Sequence, residues 1–118
     1  MTLAAAILAV LLALIFLALG TAKILALPRM RELATEAGFS VVAYRRLGVL
    51  EVAGAVGLLI GLTEPLIGAL AGAGLLLLLA GALVVHLRKG DSPQKYAPAA
   101  VCGLLVAVYL ALHFVSAR

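Results

Sequence analysis

The chain has 118 residues, 66% of them hydrophobic and only 12% charged, with a mean hydropathy of +1.28. A soluble domain cannot cover itself with so little polar surface, so the composition predicts an integral membrane protein. A spanning helix needs about 20 mainly apolar residues, which leaves room for four spans in a single transmembrane domain over 1–118 and none for a separate soluble catalytic domain. The formal charge of +4 is spread over short connections and lacks the aromatic interleaving of single-strand nucleic-acid binders, so nucleic acid is not an expected partner.

The expected fold class is all-α: a membrane four-helix bundle with a short amphipathic interfacial helix between the first and second spans. The first span covers about 3–27 and is stopped by Pro28, which cannot continue a helix ladder from within. It lacks the basic flank of a secretory signal and is longer than a typical signal core, so it reads as a retained span. In "PRMRELATEAG", Met30, Leu33, Ala34 and Ala37 recur at the spacing of one helical face, with Pro28 opening the segment and Gly38 closing it. This piece reads either as a helix lying on the membrane surface or as an amphipathic plug over the bundle.

Ser40 is the expected N-cap of a second span over about 41–62, which Glu64 and Pro65 end. The third span, about 65–87, carries no charge before His86, and the fourth, about 96–115, follows the polar turn "RKGDSP". One medium connection and two tight turns make sequential spans antiparallel. Lys23, Arg29, Arg31, Arg45, Arg46, Arg88, Lys89 and Lys95 then fall at one membrane face and Arg118 alone at the other. The positive-inside rule places loops 28–46 and 88–95 in the cytoplasm and both termini outside.

Glu51 is the deepest charge in the chain, and an acid at that depth needs a partner or a task. At helical spacing its face collects Tyr44, Gly48, Gly54 and Gly61, a small-residue stripe of the kind that lets helices approach closely, so Glu51 is expected to point into the bundle. On the third span Gly68 and Gly72 form a small-residue contact, with His86 on the same face. Lys23, Glu51 and His86 all lie within about two turns of the cytoplasmic face. The expectation is that they converge on one site, with Leu12, Phe16 and Leu19 lining the space above. The bland alternative is a buried ion pair that only locks the helices, with Lys23 and His86 held near span ends for structural reasons.

Tyr109 and His113, four apart near the outer end of the fourth span, are expected to belong to an interfacial aromatic belt. With His86 near the opposite face, the two histidines are about 20 Å or more apart and cannot share a haem. No metal-ligand spacing, phosphate loop or nucleophile elbow is present, and Cys102 has no second cysteine to pair with in the chain. No cofactor is evident from these motifs.

Three stretches, "LGTAKIL", "GF" followed by "AYRRLGVLEVAGAVGLLIGL", and "VVHLRKGD", together resemble the DoxX-like family of small four-helix bacterial membrane proteins. The resemblance rests on Gly20 and Lys23, on Gly48, Glu51 and Gly54, and on His86. It implies a bacterial inner-membrane location and an association with quinone-linked redox or stress complexes, since the family takes its name from a small subunit of a thiosulfate:quinone oxidoreductase. Three functions follow as expectations. The first is a subunit in which Lys23, Glu51, His86 and Tyr44 bind the polar head of a quinone, lipid or similar amphiphile, with protein partners or a second copy beside it. The second is an enzyme using Glu51 and His86 as an acid–base pair on an apolar substrate. The third is a proton-coupled exporter, less favoured because the small multidrug transporters carry their acid in the first helix and are rich in aromatics, whereas this chain has no Trp.

Overall fold

The computed structural model describes residues 2–116; Arg118, the one basic residue assigned to the outer face, lies outside the described residues. The structure is all-α: α1 Leu3–Ile24, α2 Pro28–Ala37, α3 Val41–Ile60, α4 Pro65–Arg88 and α5 Pro93–Ser116. Thr2 and Ser40 cap α1 and α3, their side chains accepting from the backbone N–H of Ala5 and Ala43 at 3.1 and 3.0 Å, which satisfies donors that a helix start leaves orphaned. Prolines stand first in α2, α4 and α5, where no intrahelical N–H is needed. Because Pro93 can start a helix, α5 begins three residues before the expected Tyr96.

Three helices, α1, α4 and Pro93–Val115 of α5, are long and apolar enough to cross a membrane. Four spans were expected. The second of them, α3, has the length, but Arg45, Arg46 and Glu51 interrupt its apolar run.

Helix packing is a ring in which α1 touches α3, α3 touches α4, α4 touches α5 and α5 returns to α1. Close approaches fix the directions: Gly54 and Gly57 of α3 and Gly61 at its C-cap meet Leu75, Ala71 and Gly68 of α4, and Gly68 and Gly72 meet Tyr109 and Leu110 of α5. Sequential long helices are therefore antiparallel, and all eight described Lys and Arg side chains belong to one end of the ring. Ala9, Leu12, Ala13 and Phe16 of α1, Ala55 and Leu58 of α3, Leu75 of α4, and Val106 and Tyr109 of α5 form the core. Long apolar side chains such as Leu70, Leu77, Leu104 and Phe114 are largely exposed on the outside, an arrangement suited to a hydrocarbon solvent and costly in water.

Two expectations about facing are corrected. Leu19 is 38% exposed and does not line the interior; the buried row of α1 runs through Leu12, Phe16 and Gly20, one position round the helix. Tyr109 is 0% and His113 6% exposed. They are core residues, with the Tyr109 hydroxyl lying over Gly68 and the two rings 5.6 Å apart, and not an interfacial belt.

The corners at the basic end share one device, in which the helix closes with a left-handed residue and reversed backbone hydrogen bonds. Gly38 ends α2 this way (φ 79°), and so does Gly90 after α4 (φ 71°). Ala26 does the same after α1 at φ 50°, with Ala26 and Leu27 donating back to the carbonyls of Lys23 and Ala22. A left-handed alanine is uncommon. It is held here by Arg31, whose Nε donates to the Ala26 carbonyl at 3.0 Å.

Candidate functional site

The site begins with two helices that touch through glycine. A Cβ on Gly48 would lie 2.6 Å from the Gly20 carbonyl oxygen and 2.8 Å from the Lys23 Cβ, so only paired glycines allow α1 and α3 this close. The approach brings Lys23 and Glu51 side by side, and the Lys23 Nζ donates to the Glu51 Oε1 in an ion pair that is largely shielded from solvent. Two turns before Glu51 on α3, the Tyr44 ring offers its face to the same ammonium at 5.1 Å from the ring centroid, a separation at which cation–π attraction operates. Phe39, in the turn that ends α2, flanks the Tyr44 ring at 6.4 Å between centroids.

Lys23 is thus held between a carboxylate and an aromatic face. The second carboxylate oxygen, Glu51 Oε2, is buried and has no hydrogen-bond partner among the described residues, and Glu51 as a whole is 8% exposed. An ionised carboxylate is an acceptor with capacity on both oxygens, so the site has one acceptor unused. A narrow cleft beside Lys23 and Tyr44 is lined also by Ala26, Met30, Arg31, Ala34 and Val41 and has no room for a water molecule. α2 forms its roof, and of the ten residues of α2 only Ala34 is buried.

The structure brings together Lys23, Glu51 and Tyr44, and seats His86 elsewhere. Since Gly54 meets Leu75 and Gly57 meets Ala71, Glu51 is level with about Leu78 on α4. His86 is eight residues nearer the basic end, on the order of 10 Å along the axis. Its Nδ1 lies 2.7 Å from Asp91 Oδ2, and because a carboxylate only accepts, the ring nitrogen is the donor. The same pair is joined through the backbone, the Asp91 N–H donating to the His86 carbonyl at 3.0 Å. Asp91, missed as a candidate, could have been found from "HLRKGD": a left-handed Gly90 folds the residue that follows it back over the last turn of the helix.

Asp91 lies in the turn between α4 and α5, outside the long apolar runs. The hydrogen bond from His86 holds its carboxyl below the usual carboxylate range, with partial desolvation opposing and the Lys89 and Lys95 cations assisting. A depressed folded-state pKa adds stability above the unfolded value of about 3.9 and loses it as pH falls through the folded value. The expected result is that protection of amides at the α4–α5 corner, measured as exchange relative to the intrinsic rate at each pH, falls on acidification below about pH 4 in the wild-type chain. In Asp91→Asn that acid-induced change is smaller. An equal acid response in the two chains would refute it.

Of the packing glycines, Gly48 serves the α1 contact, Gly54 and Gly61 serve α4, and Gly68 and Gly72 serve α3 and α5. The stripe on α3 thus divides between two neighbours. Gly74 and Gly81 face open space.

A profile of the DoxX-like family matches residues 7–108. No curated protein matches the chain, and no solved structure does.

Proposed function

The chain belongs to the DoxX-like family of membrane proteins, and on that premise we propose that it is a four-span module of a bacterial inner membrane that binds the polar head of a quinone or similar small amphiphile. In this reading it acts as a subunit of a membrane-associated redox or stress complex. The second long helix, α3, serves as the fourth span. Its 20 residues reach about 30 Å, enough for a bilayer core; Lys23 neutralises its acid, and its two arginines stand near its end. With the basic end of the ring in the cytoplasm, loops 28–46 and 88–95 face inward.

The observation that carries the binding reading is the buried, unpartnered Glu51 Oε2 beside a lysine ammonium and an aromatic face. A quinol hydroxyl is a donor suited to that oxygen, and a quinone carbonyl is an acceptor suited to the remaining N–H groups of Lys23. Tyr44 supplies a flat apolar surface for the ring. Because the cleft is too narrow even for water, a ligand enters only if α2 moves outward, and its single buried residue makes α2 the least firmly held helix. The acid–base enzyme reading has less support, since His86 is engaged with Asp91 well below the level of Glu51.

The test is equilibrium binding of a short-chain benzoquinone and its quinol to the purified full chain and to Glu51→Gln, with helicity checked in both. Hydrogen bonds to charged groups contribute about 1.5–3 kcal/mol, so quinol affinity should fall about tenfold or more in the variant, and quinone affinity by less. Equal affinities in the wild type and a folded variant would overturn the proposal.

A further inference from the structure

A second cleft lies on the outer side of the same end. Its volume is about 240 Å³, and it is lined by Ile24 of α1 and by Val42, Arg45, Arg46 and Val49 of α3. Arg45 and Arg46 are exposed, and neither takes part in an ion pair among the described residues. The nearest deep acid, Glu51, is already engaged by Lys23. The cleft therefore holds two guanidinium groups with no anion to answer them, set in apolar walls.

From these features we propose that the cleft is a binding site for one anionic phospholipid, the two arginines holding its phosphate and the α3 surface holding an acyl chain. Guanidinium forks match phosphate oxygens in pairs, and arginine is more weakly hydrated than lysine, which suits the edge of a hydrocarbon layer. Size separates a headgroup from a whole ligand. The cleft has the liquid volume of about eight waters, below the roughly 300–1,000 Å³ of pockets that enclose a drug-sized molecule. It holds a phosphate with part of its glycerol, and the chains must lie outside.

The outside surface has a track for them. Val42, Val49 and Val56 recur every seven residues along α3 and are all exposed, a stripe about 20 Å long that runs from the first turn of α3, past the arginines and the middle of the helix, to its last turns. Basic pockets beside spans on the cytoplasmic side attract anionic lipids by the same electrostatics. This site shares no side chain with the Lys23, Glu51 and Tyr44 cluster. The inference rests on α3 lying in a membrane and not on what Glu51 binds.

The experiment is native mass spectrometry of the full chain in detergent, titrated with phosphatidylglycerol, phosphatidylcholine or inorganic phosphate. The wild type is expected to hold a single phosphatidylglycerol at least tenfold more tightly than phosphatidylcholine. Arg45→Gln/Arg46→Gln should lose tenfold or more of that affinity. Arg88→Gln/Lys95→Gln, which removes equal charge from the same end, should change it less than twofold. Val42→Glu, which keeps both arginines but sets a carboxylate in the cleft, should also lose it. Full binding by the Arg45/Arg46 variant, an equal loss in the Arg88/Lys95 control, or displacement of the lipid by millimolar phosphate would each overturn the proposal. Benzoquinone binding measured on the same Arg45/Arg46 variant should be unchanged, which separates failure here from failure of the quinone reading.

Discussion

Replacing Lys23 with Met is expected to destabilise the folded chain by about 3–5 kcal/mol, the usual cost of leaving one half of a buried ion pair uncompensated. The deleted partner decides the size of the effect. Without Lys23, the Glu51 carboxylate stays at 8% exposure inside the ring with nothing on either oxygen. Without Glu51, Lys23 sits in the last turn of α1 and its long stem can carry the ammonium outward to water. Glu51→Gln should therefore cost distinctly less than Lys23→Met. Removing both charges together, as in Lys23→Met/Glu51→Leu, should recover most of the loss, because well-packed apolar replacements of buried ion pairs are often neutral or stabilising. Reversible unfolding in mixed micelles, followed by helicity, gives the three values. If the double variant were no more stable than Lys23→Met, the ion pair would not be the source of the loss.

Gly48→Ala should destabilise by about 1–3 kcal/mol, the range for forcing extra atoms into a packed contact. The new methyl would meet the Gly20 carbonyl oxygen and the Lys23 Cβ at 2.6 and 2.8 Å, both fixed by backbone, so one helix must move away from the other. That movement also separates Lys23 from Glu51, which links the contact to the site. Gly74→Ala is the matching change with the opposite sign. Its Cβ would meet nothing within 4 Å, and alanine is favoured over glycine in a helix by up to about 1 kcal/mol. The same unfolding assay reads both, and a Gly48→Ala chain as stable as the wild type would mean that close approach at Gly20 is not needed.

Much of this fold follows from signals with a single physical reading. Pro28, Gly38 and the spacing of Met30, Leu33, Ala34 and Ala37 define α2 to the residue, and Ser40 caps α3 as its side chain predicts. Glu51 on a glycine face has to point inward, and that face divides between α1 and α4 only because a ring gives α3 two neighbours. Other features depended on choices that one helix cannot express. Tyr109 and His113 fit a membrane interface as well as a core when judged by position. The row Cys102, Val106, Tyr109 and His113, at steps of four, three and four, is the pattern that marks them as inward. Depth alone made His86 level with Glu51, since counting from the nearest charges ignores how α3 and α4 are offset. The Gly61–Gly68 contact sets that offset and moves His86 toward the loop.

The ring also has a consequence for how the chain enters a bilayer. Lys23 and Glu51, the two charges deepest in apolar sequence, belong to α1 and α3, the first two long helices to be synthesised. A charged side chain at the centre of an inserting helix costs about 2.5–3.5 kcal/mol on translocation scales. Here the acid need not cross alone, because its counterion already stands on the preceding long helix, and the glycine contact that pairs them needs nothing from α4 or α5. With α3 as the proposed fourth span, the first hairpin can thus enter with its deepest acid and base already paired and only Arg45 and Arg46 left at its basic end, and the last two helices join a partner whose deep charges are already matched.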